Sequence, residues 1–230
     1  MGIALTLLVV GLVAGAFANA VALDTSVTAA ATTAPPGSHG SVGPLRMPVI
    51  VAVTGLLFAA TPWVVEVSWV LPAYLWFVWL TVTLTITDLD DKLIPNRILF
   101  PGVAVGGLLL IVGALLDGQP EGLIGGFVGG VAYFLVLYGI ARMARGEFGL
   151  GDVKLAFLLG VFTAYQGWGE LVVAFVAAFV LGGVVSLAFL VTRTKGRKDA
   201  IPFGPFLVAG AYIGLAWGSS IVAWYLGTSA

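Results

Sequence analysis

The chain has 230 residues, 60% of them hydrophobic and 9% charged, with a formal net charge of −1. A soluble domain carries about 25% charged residues, so a soluble fold is excluded, a polytopic membrane protein is expected, and nothing suggests a nucleic-acid partner. There is no cysteine, which excludes disulfides, thiolate zinc sites and a cysteine nucleophile.

A helix needs about 20 apolar residues to cross the hydrocarbon core. Apolar runs at 3–22, 48–66, 69–88, 98–116, 122–142, 153–168, 170–191 and 204–226 therefore predict eight spans. The first ends in AFANAVA, which is similar to a signal-peptide cleavage site. A signal peptide starts with a basic region, and MGIALTLL has none, so this span is expected to stay. The stretch 23–46, ending in APPGSHGSVGPLR, reads as a flexible linker rich in Ala, Thr, Ser, Gly and Pro. It holds the single histidine, His39, too remote for a Ser-His-Asp triad. Only the TPWVVEVSW region separates spans two and three. The sixth span is short, which suggests tilt or enclosure among other helices. Paired glycines at 106–107, 125–126, 129–130 and 182–183 suit close helix packing.

All ten basic residues fall in or beside the loops after spans one, three, five and seven. These are Arg46, Lys92, Arg97, Arg142, Arg145, Lys154, Arg193, Lys195, Arg197 and Lys198. The loops after spans two, four and six carry only Glu66, Asp117, Glu121 and Glu170. Basic loops stay cytoplasmic. The expected fold is all-α: a helical bundle of about eight transmembrane helices, residues 1–230 as one domain, both termini outside. The basic TKGRK stretch after span seven reads as a loop that sets orientation.

Acids near a bilayer are costly. Glu66, Asp117, Glu121 and Glu170 lie at outer turns where water solvates them, and Asp24 and Asp199 lie in cytoplasmic loops. Two clusters remain, both on the cytoplasmic side. TDLDDKLIPNR, from Thr87 to Arg97, closes the third span. At about 100° per residue, Asp88 and Asp91 share a helix face while Asp90 points elsewhere. Pro95 stops the helix and biases Ile94 to an extended conformation. The bland reading of Asp88 is a solvated helix end. GEFGLGDVKL, from Gly146 to Leu155, precedes the sixth span. Gly149 and Gly151 allow backbone conformations that other residues resist, and they let another chain approach. Asp152 suits the positive end of the helix dipole, and its bland reading is an N-cap. Two converging carboxylates would share a proton. One can then accept a proton from water while the other donates to a peptide carbonyl, with no histidine, cysteine or metal. Convergence of Asp88 and Asp152 is an expectation.

These residues carry a resemblance. Asp88 stands seven positions before Pro95 in DLDDKLIPN, and Asp152 ends Gly-x-Gly-Asp in GLGDVKL. RMPVIVAVTGLLFA and PFGPFLVAGAYIG add to it. Over residues 45–217 the chain resembles the type IV prepilin peptidases, membrane aspartic peptidases of the GxGD type. The resemblance implies that Asp88 and Asp152 are the catalytic pair. Gly149, Gly151, Pro95, Asn96 and Lys154 then belong to the shaping motifs, while Asp90 and Asp91 are solvated or face substrate. The chemistry of an aspartate pair needs no cofactor and no metal, and none is expected. The substrate class is a prepilin or pseudopilin with a short basic leader, cleaved at the cytoplasmic side of a bacterial inner membrane.

Many family members carry paired cysteines in the first cytoplasmic loop and also methylate the new N-terminus. The loop here has none, so peptidase activity is the expectation and methyl transfer is not. Two other classes compete: a proton- or cation-coupled transporter, and a catalytically silent assembly factor. A transporter would place its acids at the midplane on broken helices. A presenilin-like protease is a near neighbour, from which the Ile-Pro-Asn and Val-Lys-Leu flanks separate this chain.

Overall fold

The computed structural model describes residues 2–33, 46–144, 149–192 and 202–228. Eight α-helices account for nearly all of them: α1 (Gly2–Thr33), α2 (Arg46–Val64), α3 (Leu71–Asp91), α4 (Asn96–Leu116), α5 (Glu121–Met143), α6 (Leu150–Gln166), α7 (Trp168–Thr192) and α8 (Gly204–Leu226). Seven, all but α6, are long and apolar enough to cross a membrane. The 17 residues of α6 rise about 25 Å at 1.5 Å each. The protein is a multi-pass helical membrane protein.

The apolar part of α1 is Ile3–Ala22, where the first span is expected, but the helix continues to Thr33. Residues 23–33 thus extend α1 into the stretch read as a linker. Its alanines at 29, 30 and 31 are the best helix formers. Residues 34–45, including His39, lie outside the described residues, as do Arg145–Phe148 and the TKGRK stretch.

The helices group into two compact units, Met1–Asp117 and Gly118–Ala230. In the first, α1 lies on α2 through Gly11 and Gly15. A Cβ added at Gly15 would lie 2.9 Å from the Cα of Val51, so the backbones meet at a small-residue crossing of the kind common in membranes. On α3, Ile86 packs against Ala18 and Ala22 of α1, and the rings of Phe17 and Trp79 stack at 6.1 Å. Gly102 of α4 faces Leu80 of α3, and Trp76 Nε1–H donates to the Gly102 carbonyl at 2.9 Å. Thus α3 is enclosed: 72% of its span is buried, against 22–33% for the other spans.

In the second unit, α6 touches α5, α7 and α8. Gly129 and Gly130 of α5 meet Gly160 and Ala164 of α6, with 2.7 Å between a Cβ added at Gly160 and the Gly129 carbonyl. Gly210, Gly214 and Gly218 of α8 lie against Glu170, Ala174 and Ala178 of α7. The PFGPF stretch starts α8, where the Phe203 ring covers Gly182 of α7 and lies 5.2 Å from the ring of Phe179. Each unit therefore surrounds one helix, α3 in the first and α6 in the second.

Candidate active site

Each enclosed helix carries an aspartate at one end. Asp88 lies in the last turn of α3, in the first unit. Four threonines precede it at alternate positions, Thr81, Thr83, Thr85 and Thr87. Each hydroxyl donates to a carbonyl three or four residues back: Thr81 to Phe77, Thr83 to Trp79, Thr85 to Thr81 and Thr87 to Leu84. β-Branched residues are modest helix formers, but these bonds satisfy the hydroxyls inside the helix and let an apolar surface continue to Asp88. The Asp88 side chain is 4% exposed. Burial on that scale overturns the reading of a solvated helix end.

The following residues emerge. Leu89, Asp90, Asp91, Lys92 and Leu93 are exposed. Asp88 and Asp91 lie three apart on one helical face, yet only Asp88 is enclosed. The helix ends at Lys92, which takes a left-handed conformation at φ 51°. Pro95 therefore does not stop α3. It serves α4, standing at the N-cap with φ −71° and ψ 123° and accepting at its carbonyl from Ile98 N–H at 3.1 Å and Leu99 N–H at 3.0 Å. Asn96 is the first residue of α4 and is exposed.

Asp152 belongs to the second unit. The helix starts earlier than the hydropathy suggests, so Asp152 is its third residue and Gly149 holds the N-cap position. The simple N-cap reading of Asp152 is thereby corrected. Its N–H donates to the Gly149 carbonyl at 3.1 Å, and its carboxyl group turns back toward Gly149. The residue is 7% exposed. The first turn is where a carboxylate gains from the helix dipole.

Neither glycine takes the unusual backbone conformation expected of it. Gly149 has φ −69° and ψ 129°, open to any residue, and the positive-φ glycines among the described residues are Gly118 and Gly227. Gly149 instead contributes space: a Cβ there would stand 3.2 Å from Asp152 Oδ2. Gly151 is the second residue of α6 and Lys154 the fifth, both half-buried. Asp88, Pro95 and Asn96 thus belong to one unit, and Gly149, Gly151, Asp152 and Lys154 to the other. Among the described residues no group of three His, Cys, Asp or Glu side chains could hold a metal.

Of the acids read as solvated at outer turns, Asp117 has a defined task. Its Oδ1 accepts from Trp69 N–H at 3.0 Å and its Oδ2 from Val70 N–H at 3.2 Å, at the N-terminus of α3. Spacing along the chain, 47 and 48 residues, hid this contact from sequence reasoning.

Residues 74–187, which include both aspartates, match the Type IV leader peptidase family. A prepilin leader peptidase/N-methyltransferase of Aeromonas hydrophila is 32% identical over 193 residues, covering 79% of this chain and 61% of the relative. Proteins of the same description from Stutzerimonas stutzeri and Bacillus subtilis (strain 168) are each 30% identical. The alignments cover 79% and 78% of this chain and 62% and 69% of those relatives. The chain thus spans about three fifths of the length of the Aeromonas and Stutzerimonas relatives. No solved structure matches. With a 30% identical relative covered over more than two thirds of its length, the chain belongs to the type IV leader peptidase family.

Proposed function

We propose that this protein is a membrane aspartic endopeptidase that removes the basic leader from type IV prepilins or pseudopilins. The observation that carries the reading is the burial of one aspartate at the end of each enclosed helix, both within the family-matched region. A carboxyl group is rarely buried without a partner or a function. Here Asp88 and Asp152 act as a pair that shares one proton. One carboxylate takes a proton from a water molecule, whose oxygen attacks the peptide carbonyl carbon. The other donates its proton to the carbonyl oxygen. Collapse of the tetrahedral adduct breaks the C–N bond as the departing amine takes the proton that the first carboxyl group received from water, while a hydroxyl of the adduct returns a proton to the second.

The pair works at the cytoplasmic face of the bacterial inner membrane, a placement supported by the charge of the loops. The names of the relatives also include methyl transfer. The proposal covers the peptidase step alone, since the stretch between the first two spans holds no cysteine pair.

Purified protein incubated with candidate prepilins, with mass spectrometry of the products, tests the proposal. The expected product lacks the leader and carries no added methyl group. Asp88→Asn and Asp152→Asn should each abolish cleavage in a folded protein. Intact cleavage by either variant overturns the assignment of that residue.

A further inference from the structure

The four threonines that lead to Asp88 differ in one respect. Thr81, Thr83 and Thr87 are buried, and Thr85 alone is half-buried. It stands three residues before Asp88, a spacing that puts two side chains on one helical face with their Cβ atoms about 5–6 Å apart. Helical side chains lean toward the N-terminus of their helix, so the Asp88 side chain leans over the turn that holds Thr85. The Thr85 hydroxyl is itself oriented, since its proton is donated to the Thr81 carbonyl at 2.7 Å. A hydroxyl has one proton and two lone pairs. With the proton committed, Thr85 Oγ1 offers only acceptor positions, and the group it can hold is a donor. A peptide substrate supplies such donors in its main-chain N–H groups. An N–H brought into a water-poor site without an acceptor is costly.

We propose that Thr85 Oγ1 accepts a hydrogen bond from the substrate main chain just after the scissile bond. This rests on Asp88 being catalytic. The geometry selects the amide. With the basic loops cytoplasmic, α3 runs inward toward Asp88, so Thr85 lies about 4.5 Å deeper in the bilayer. The basic leader stays on the cytoplasmic side, and the chain after the cleavage point continues toward the bilayer. Extended chain advances about 3.3 Å per residue, so the second or third amide after the scissile bond reaches Thr85. Such a contact reads main chain and not side chain. Thr83 supplies a control. Its hydroxyl makes the same kind of bond, to the Trp79 carbonyl at 2.8 Å, but it lies about 140° around the helix from Asp88.

The test measures kcat and KM for Thr85→Val, Thr85→Ser and Thr83→Val on synthetic prepilin peptides. The peptides are unmodified, or N-methylated at the second or the third amide after the scissile bond. A methylated peptide that is not cut is read by its competition with the unmodified one. Valine keeps the shape of threonine and removes the acceptor. Thr85→Val should raise KM about 3–10-fold with kcat unchanged, the loss of one neutral hydrogen bond made equally in the ground and transition states. Thr85→Ser and Thr83→Val should stay within about 2-fold of wild type. On one of the two methylated peptides the difference between wild type and Thr85→Val should vanish, because the donor is already gone. Wild-type KM in Thr85→Val, an equal rise in Thr85→Ser or Thr83→Val, or a loss confined to kcat overturns the proposal. So does a deficit that persists on both methylated peptides. Should Thr85→Val not fold, Thr85→Ala carries the same expectations. Asp88→Asn in the same assay separates the two readings. An active Asp88→Asn removes the catalytic role itself, whereas an inactive one beside a Thr85→Val of wild-type KM removes only the main-chain contact.

Discussion

The backbone N–H of Lys92 donates to the carbonyl of Asp88 at 3.0 Å, and from Lys92, at a left-handed φ of 51°, the chain turns away from the helix. This bond closes the final turn of α3, so the residue that ends the helix also caps the backbone of the buried aspartate. A left-handed conformation costs a residue with a Cβ about 1–2 kcal/mol, and helices usually place glycine there. Lys92→Gly should raise stability by about 0.5–1 kcal/mol, part of the gain being lost to the freer unfolded chain. Lys92→Val should lower it by about 1 kcal/mol, since a branched side chain tolerates positive φ poorly. Chemical denaturation in detergent micelles checks both. Cleavage per folded molecule should not change, because the Lys92 side chain is exposed.

Three aspartates sit within four residues at the end of α3, and burial separates them. Asp88 is 4% exposed, while Asp90 and Asp91 are open to solvent. Removing one member of a general acid–base pair costs about 10²–10⁴-fold. Asp88→Asn should therefore lose at least about 100-fold in cleavage rate. Asp90→Asn and Asp91→Asn should stay within about 3-fold of wild type, as substitutions of exposed charges do when no proton transfer runs through them. Initial rates on one prepilin, at equal folded protein, measure the contrast. A loss at Asp91→Asn as large as at Asp88→Asn would contradict the exposure-based ordering.

Helical periodicity could group Asp88 with Asp91 but could not rank them. Periodicity reports direction around the helix axis, whereas exposure here changes with position along it, from buried at Asp88 to open from Leu89 to Leu93. The eight hydrophobic segments were legible because spanning the bilayer forces long apolar runs. The beginning of α6 was not, because Leu150, Gly151 and Asp152 enter the helix before the apolar run starts. The role of Gly149 was half legible. Its presence beside Asp152 could be read, but its ordinary φ and its service as empty space depend on the path of the neighbouring carboxyl group. The extension of α1 past Ala22 shows the same limit, since alanine-rich sequence supports a helix as readily as a linker.

Asp117 looked like a solvated acid at an outer turn, and its carboxyl group instead receives the Trp69 and Val70 N–H groups. Pro72 has no N–H, and Leu71 N–H donates to Ser68 at 3.2 Å. Asp117 thus completes the start of α3 from the far end of α4. A carboxylate accepting two N–H bonds at a helix N-terminus acts as a cap supplied from elsewhere in the chain, and losing such a cap costs about 1–2 kcal/mol. Asp117→Ala should lower stability by that amount, and Asp117→Asn by less, since its amide oxygen still accepts one bond. Thermal unfolding followed by circular dichroism measures the loss. Catalysis per folded molecule should hold, because Asp117 and Asp88 lie at opposite ends of the α3–α4 pair.

The 32 glycines fall into physically different groups. A methyl group at Gly160 would stand 2.7 Å from the backbone carbonyl of Gly129, and one at Gly214 would collide with the Glu170 carbonyl. Backbone cannot swing aside like a flexible side chain, so the helices would have to separate, and overpacking of this kind costs about 1–3 kcal/mol. Gly139 and Gly183 have nothing within 4 Å of an added Cβ, and both sit inside helices. There alanine removes backbone freedom from the unfolded chain and should gain up to about 1 kcal/mol. Gly160→Ala and Gly214→Ala should therefore lower the unfolding midpoint, while Gly139→Ala and Gly183→Ala should raise it or leave it unmoved. If all four substitutions moved the midpoint alike, helix propensity rather than close packing would govern the glycines, and the small-residue crossings at α5–α6 and α7–α8 would lose their role in holding the second unit together.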